Sequence, residues 1–217
     1  MNTEDLIDAL AANLEPVRPL FPPALQLLGW LAASVPAIGG VVALEGLRED
    51  LPAKLVDPVF LTEQIAAVAT ALAAAWAALT ACVPGTARWA RWLPAVPLTF
   101  WMASLARQCW FEWIHAGTSG MVLRPDWMCV PDIALTSALP AFAMVISIRR
   151  GARLSSEPML WGSLAAAALS NAALRLFHAQ DAALMVIVWQ FGSVTLFTMV
   201  LAALRRFLVA ERKIVVP

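Results

Sequence analysis

VFLTEQIAAVATALAAAWAALTACV, Val59 to Val83, is the stretch whose reading decides the fold. From Gln64 to Val83 it carries no charged residue, and about 20 apolar residues in a helix are what the hydrocarbon core of a bilayer requires. Working outward, five more stretches have the same character: Leu25 to Leu44, Leu93 to Ile114, Trp127 to Ile148, Met159 to Phe177 and Ala182 to Leu204. The chain as a whole is 61% hydrophobic and 14% charged, with a mean hydropathy of +0.74, beyond the apolar share of soluble domains. The expected fold is therefore all-α, an integral membrane bundle of six helices in the lipid bilayer. Residues 1–22 are left as an arm, 23–205 as the transmembrane domain and 206–217 as a short basic tail, with no room for a sizeable soluble domain. The small-residue runs at Ala66 to Ala81 and Ala165 to Ala173, with Gly162, Ser163, Ser170 and Asn171, suit close helix packing. Pro36, Pro94, Pro97, Pro131 and Pro140 are expected to cap or kink spans.

Sidedness follows from Lys and Arg. Met1 to Glu15 holds four acidic residues and no basic one, unlike a secretory signal, so the N-terminus is expected to be retained and cytoplasmic. The cytoplasmic segments then hold Arg18, Arg88, Arg91, Arg149, Arg150, Arg153, Arg205, Arg206, Arg212 and Lys213, ten of the fifteen basic residues. Both termini are inside on this reading. Trp89, Trp92 and Trp161 fall near the inner boundary and Trp110, Trp113 and Trp127 near the outer one, as interfacial anchors do.

The arm has two faces. Stepping about 100° per residue from Leu6, Val17, Leu10, Leu14 and Ile7 fall within about 100°, whereas Glu4, Glu15, Asp8 and Asp5 lie between about 160° and 260°. Thr3 is the expected N-cap, Glu4 and Asp5 suit the positive helix end, and Pro16 stops the helix. Helices that lie on membranes favour Lys and Arg on the polar face. An acidic face points instead to a basic protein partner that receives the helix in a groove. No direct contact with nucleic acid is expected.

On the outer side, Cys109 ends the third expected span and Cys129 opens the fourth, which puts two thiols at one level in a compartment where disulfides persist. Glu112 is three residues from Cys109, Asp126 and Asp132 are each three from Cys129, and His178 is three from Asp181, spacings that share a helix face. Thiolate, imidazole and carboxylate together suit zinc or copper, so Cys109, Cys129, Glu112, His178 and Asp181 form the metal-ligand set to test. Three readings stay open for this group: a thiol or disulfide sensor, packing alone, and a metal site. Cys82, near the inner end of the second span, is expected to pack, and His115 to sit in a solvated Gly-rich loop. Arg107 and Arg175 either snorkel or pair with Glu112 or Asp181, and intramembrane charge of this kind hints at function.

Particular motifs carry a likeness. Thr3-Glu4-Asp5-Leu6-Ile7-Asp8-Ala9-Leu10-Ala11 with Pro16-Val17-Arg18, Asp57-Pro58-Val59-Phe60, Cys109-Trp110 with Glu112, Arg124-Pro125-Asp126-Trp127 with Cys129, Arg149-Arg150-Gly151-Ala152, and Leu176-Phe177-His178 with Asp181 and Trp189 run in order along nearly the whole chain. In that order and spacing the chain resembles the NrsF-like membrane anti-sigma factors of proteobacteria. The resemblance implies a multi-pass protein of the bacterial inner membrane. Such a protein holds an extracytoplasmic-function sigma factor through the arm, here Thr3, Glu4, Asp5, Leu6, Ile7, Asp8, Leu10 and Leu14, and releases it under metal or oxidative stress in the envelope. It also implies a departure: many relatives carry a cysteine directly after the histidine before the last span, where this chain has Ala179. A thiol switch here would rest on Cys109 and Cys129.

An enzyme or carrier is the rival class. A membrane thiol oxidoreductase needs a reactive cysteine pair, and no CxxC spacing is present. A transporter of small solutes or metal would show broken helices or repeats with polar residues at the membrane midplane. The centres of these spans are nearly free of charge.

Overall fold

The computed structural model describes residues 2–12, 20–83, 85–117, 129–149 and 156–178, with the single positions 187, 188, 192 and 199. Every regular element among them is helical: α1 (Thr3–Ala12), α2 (Pro23–Glu45), α3 (Leu51–Lys54), α4 (Pro58–Ala81), a 3₁₀ turn (Arg88–Trp92), α5 (Ala95–Ala116), α6 (Cys129–Arg149) and α7 (Ser156–Phe177). Among the described residues four helices are long and apolar enough to cross a membrane, Pro23–Glu45, Pro58–Ala81, Pro131–Arg149 and Glu157–Phe177. α5 covers the third expected span at comparable length, but Arg107, Gln108, Glu112 and His115 crowd its second half. The sixth expected span and the tail at 206–217 lie outside the described residues, apart from the single positions just given.

Local chemistry sets the helix starts. Asp57 caps α4, its Oδ1 accepting from the Val59 backbone N–H at 2.9 Å, with Pro58 at the first helical position, where a missing N–H costs nothing. Pro94 caps α5, and Pro97 and Pro131 lie in the first turns of α5 and α6. Pro36 and Pro140 lie inside α2 and α6. The Pro140 carbonyl accepts from Trp30 Nε1 at 2.9 Å, which ties α2 to α6.

α4 is the axis of the bundle, and its most extensive packing is on α7. The two run antiparallel, since Glu63 and Gln64 meet Arg175 and Ala172 while Ala74, Ala75 and Ala78 pack with Leu164 and Ala165. Ala67, Ala71, Ala74, Ala75, Ala77 and Ala78 of α4 and Ala165, Ala166 and Ala168 of α7 are all essentially inaccessible. Small side chains let the backbones approach, so dispersion and interhelical hydrogen bonds can hold helices that lipid does not push together. The bulk comes from the neighbours. Trp30, Met144 and Ile148 fill one cluster with Leu79 and Cys82, and Trp101 and Leu105 fill a second with Ala66, Ala67, Ala168 and Ala172. Cys82 is a packing residue as expected, its Sγ 3.3 Å from the Ala78 carbonyl.

The first cluster lies toward the basic end of the bundle, where Arg88 and Arg91 stand; the second lies toward the acidic end, where α4 begins at Asp57. Trp89 and Trp92 are exposed at the basic end, and Trp110 and Trp113 are exposed at the other end of α5. These are the positions of two aromatic belts.

Gly162 marks the tightest approach of α6 to α7: a Cβ there would stand 2.8 Å from Met144 Cγ and 2.9 Å from Ile148 Cδ1. Gly162→Leu is expected to force α6 off α7 at a cost of about 1–3 kcal/mol, lowering the midpoint of thermal unfolding in detergent. Gly162→Ala, which adds a single methyl that Met144 and Ile148 must shift to admit, should lower it less. Equal midpoints for the Leu variant and the parent would show that the contact is not needed.

Candidate functional site

The arm begins with Asn2 rather than Thr3 as its cap. Asn2 Oδ1 accepts from the Thr3 backbone N–H at 2.7 Å, the Asp5 carboxylate accepts from the Asn2 N–H at 3.1 Å, and Thr3 is already helical. The correction has a physical basis: an asparagine one residue earlier caps as well as a threonine, and Asp5 then stands where the reciprocal partner of a capping box belongs. Thr3, Glu4, Asp5, Leu6, Ile7 and Asp8 are all exposed, Leu6 by 43% and Ile7 by 58%. Leu10 lies in α1 with its side chain outside the described residues, and Leu14 lies outside them altogether. A ten-residue helix is marginal by itself in water, and exposed Leu6 and Ile7 give it an apolar face with no cover.

At the acidic end a polar lattice joins five segments. Glu63, on α4, is fully buried as a side chain and meets Arg175 of α7 at 2.5 Å. The same carboxylate accepts from Gln108 Nε2 at 2.8 Å and Ser104 Oγ at 3.2 Å, both on α5. The Arg175 guanidinium also lies over the Phe60 ring, 4.9 Å from its centroid. Gln64 Nε2 donates to the Ala172 carbonyl at 3.0 Å. One carboxylate thus fixes three helices, which gives the Asp57-Pro58-Val59-Phe60 entry a reason: the cap sets the register that brings Phe60 and Glu63 to Arg175.

A second layer closes over the first. The loop after α2 returns Arg48 to the C-terminus of α7, where its backbone N–H donates to the Leu176 carbonyl at 3.1 Å and its Nη1 to the His178 carbonyl at 3.3 Å. Cations and donors suit this end of a helix, whose last carbonyls lack partners. Asp50 grips the Arg48 guanidinium at 2.5 and 2.8 Å. His178 Nδ1 stands 3.6 Å from the Asp132 carboxylate in the first turn of α6, and Thr136 and Ser170 share a short hydroxyl contact between α6 and α7.

Several expected positions land differently. Arg175 pairs with Glu63, because its side chain turns into the bundle, whereas Asp181 lies outside the described residues. Arg107 lies over the Phe111 ring, 5.7 Å from its centroid. His115 belongs to the last turn of α5, its Nδ1 2.8 Å from the Phe111 carbonyl, so the helix runs further than the Gly-rich sequence suggests. Cys109 is half-buried and packs against the second apolar cluster, with Glu112 also half-buried one turn on. Cys129 opens α6, and its side chain lies outside the described residues. Among the described residues no three His, Cys, Asp or Glu side chains converge to hold a metal. Sequence reasoning passed over Glu63, Ser104, Gln108 and Arg48. The signal was there in part: Glu63 and Arg175 are each a few residues inside the same end of their spans.

The family model described as negative regulator of sigma F matches residues 10–210. No curated protein and no solved structure matches the chain. The matched family is one of regulators rather than enzymes.

Arg175→Met leaves the Glu63 carboxylate buried without its counterion and is expected to cost about 3–5 kcal/mol. Glu63→Leu with Arg175→Met removes both charges and should recover most of that loss, because apolar replacements of similar volume are often neutral. Thermal unfolding of the three proteins in one detergent measures it. Equal losses in the single and double variants would deny the pair its coupling.

Proposed function

Because the chain belongs to the NrsF family of negative regulators of sigma F, we propose that it is a membrane anti-sigma factor. Its arm captures an extracytoplasmic-function sigma factor and releases it when metal or oxidative stress reaches the opposite face. The observation that carries this reading is the arm itself, with Leu6 and Ile7 exposed beside Glu4, Asp5 and Asp8. Such a helix gains its stability from a partner's groove, and each apolar side chain fully buried there contributes about 1.5–3 kcal/mol. The acids steer a basic partner surface toward it.

The basic end then faces the cytoplasm of the bacterial inner membrane, which puts both termini inside, as the arginine distribution supports. On the far side, the half-buried Cys109 and the residue that opens α6, Cys129, are the thiols we assign to sensing. Glu112, His178 and Asp181 are the further ligands if zinc or copper is the signal. The lattice around Glu63 and Arg175 is the element whose rearrangement would carry the signal toward α2 and the arm.

Leu6→Asp with Leu10→Asp is expected to release the sigma factor and raise its regulon without stress. Full repression by that variant at normal membrane levels would remove the arm from the account. Reversing Glu4, Asp5 and Asp8 to Lys should slow capture most at low ionic strength, since screening weakens such steering. A binding rate independent of salt and of the reversal would reject it. Cys109→Ser with Cys129→Ser is expected to abolish induction by oxidant, whereas normal induction would leave the thiols a packing role.

A further inference from the structure

The basic end holds a pocket that the anti-sigma reading does not use. Thr86 Oγ1 donates to the Thr80 and Val83 carbonyls at 2.9 and 3.1 Å, and Gly85 takes a φ of +85°, open to glycine at little cost. Together they fold the chain back after α4, so that Ala90 of the 3₁₀ turn is buried and Arg91 Nη1 reaches Glu157 Oε2 of α7 at 3.3 Å. Between the turn and α7 lies a cavity of about 400 Å³ lined by Arg88, Arg91, Trp92, Glu157, Leu160 and Trp161.

Three features define what it would hold. Arg91 gives Nη1 to Glu157 and keeps its side chain 30% exposed, so donors of its guanidinium fork stay open to a ligand. Arg88 is exposed, with no partner among the described residues. Two guanidiniums against one carboxylate leave a surplus of one positive charge. A monoanionic phosphodiester answers all three, and its oxygens suit the planar donor fork of arginine.

The rim decides between a free phosphate and a lipid. Trp89, Trp92 and Leu160 are exposed by 68%, 70% and 46%, an apolar and aromatic border that a dissolved ion does not need and that acyl chains cover. We propose that this pocket binds the headgroup of an anionic phospholipid, its phosphodiester between Arg88 and Arg91 and its chains along Trp92 and Leu160. Basic pockets between membrane helices recognise lipid in this way. The site is independent of the sigma-factor reading, and the orientation proposed above places the lipid in the inner leaflet.

Native mass spectrometry of the full chain in detergent, titrated with phosphatidylglycerol or phosphatidylcholine, tests it. The parent should retain phosphatidylglycerol in preference, and Arg88→Gln, at an exposed position, should weaken that binding about fivefold. Arg88→Gln with Arg91→Gln should abolish the preference. Equal retention of the two lipids by the parent, or an unchanged preference in both variants, would overturn the site. Displacement of phosphatidylglycerol by millimolar inorganic phosphate, with phosphate adducts on lipid-free protein, would overturn the lipid assignment in favour of a free anion.

Discussion

The Glu63 carboxylate sits where neither water nor lipid can solvate it, and the arrangement of the acidic end follows from that. An unpaired carboxylate in such a place costs several kcal/mol (about 3–5 when its partner is removed), so the fold must bring a cation and donors to it. Arg175 supplies the charge from α7, while Gln108 and Ser104 supply donors from α5. Three helices are held in one register because a single group cannot be left alone. Tying one buried carboxylate to groups on two other helices restricts how the three can pack. The alanine faces of α4 and α7 supply close contact but little register of their own, since one alanine fits against the next alanine much as well as against the last.

The second layer extends the constraint to the rest of the bundle. Arg48 fills the vacant acceptors at the end of α7 and is itself fixed by Asp50, so the loop after α2 is attached to the helix that carries Arg175. His178 against Asp132 adds α6. The half-buried Cys109 lies one residue beyond Gln108 on α5, so a chemical change at this thiol would press on the helix that donates to Glu63. That proximity is why a sensing role for the thiol fits the lattice without requiring contact between Cys109 and any one charged group.

Much of this architecture was legible in the residues. The apolar runs marked α2, α4, α5, α6 and α7, the alanine runs marked the face on which α4 meets α7, Gly162 and Asn171 marked packed positions, and Trp89, Trp92, Trp110 and Trp113 fell near the ends, whereas Trp127 lies outside the described residues. The helix of the arm was readable over Thr3–Ala12, while Leu14, Glu15, Pro16 and Val17 lie outside the described residues. The lattice was not. Counting residues along each span places Glu63 and Arg175 near the same end but does not say that their side chains turn inward to meet across 112 residues of chain. Arg48 was hidden for the same reason, since a loop arginine reads as solvated until the open carbonyls of α7 stand opposite it. The cap moved by one residue, to Asn2, because two capping side chains competed at adjacent positions. His115 stayed helical because its ring nitrogen is bonded to the turn before it and its ring stacks on Phe111, 6.2 Å between centroids; the glycines that follow do not undo either contact.

α7 is fastened at both ends, and the fastenings are unequal. Arg175 and Glu63 are 6% and 0% exposed as side chains, whereas Arg91 and Glu157, at the other end, are 30% and 37% exposed. A solvated pair of the second kind contributes about 0.2–1 kcal/mol, against the several kcal/mol lost when one side of a buried pair is left alone. Of the two ion pairs, Arg91 with Glu157 at the basic end is therefore the cheaper to open. That is the end where α2 starts, because Trp30, two turns into α2, packs with Leu79, Cys82 and Leu164, and α2 is the helix to which the arm is joined. The weaker of the two fastenings thus stands at the end of the bundle from which the chain runs to the arm.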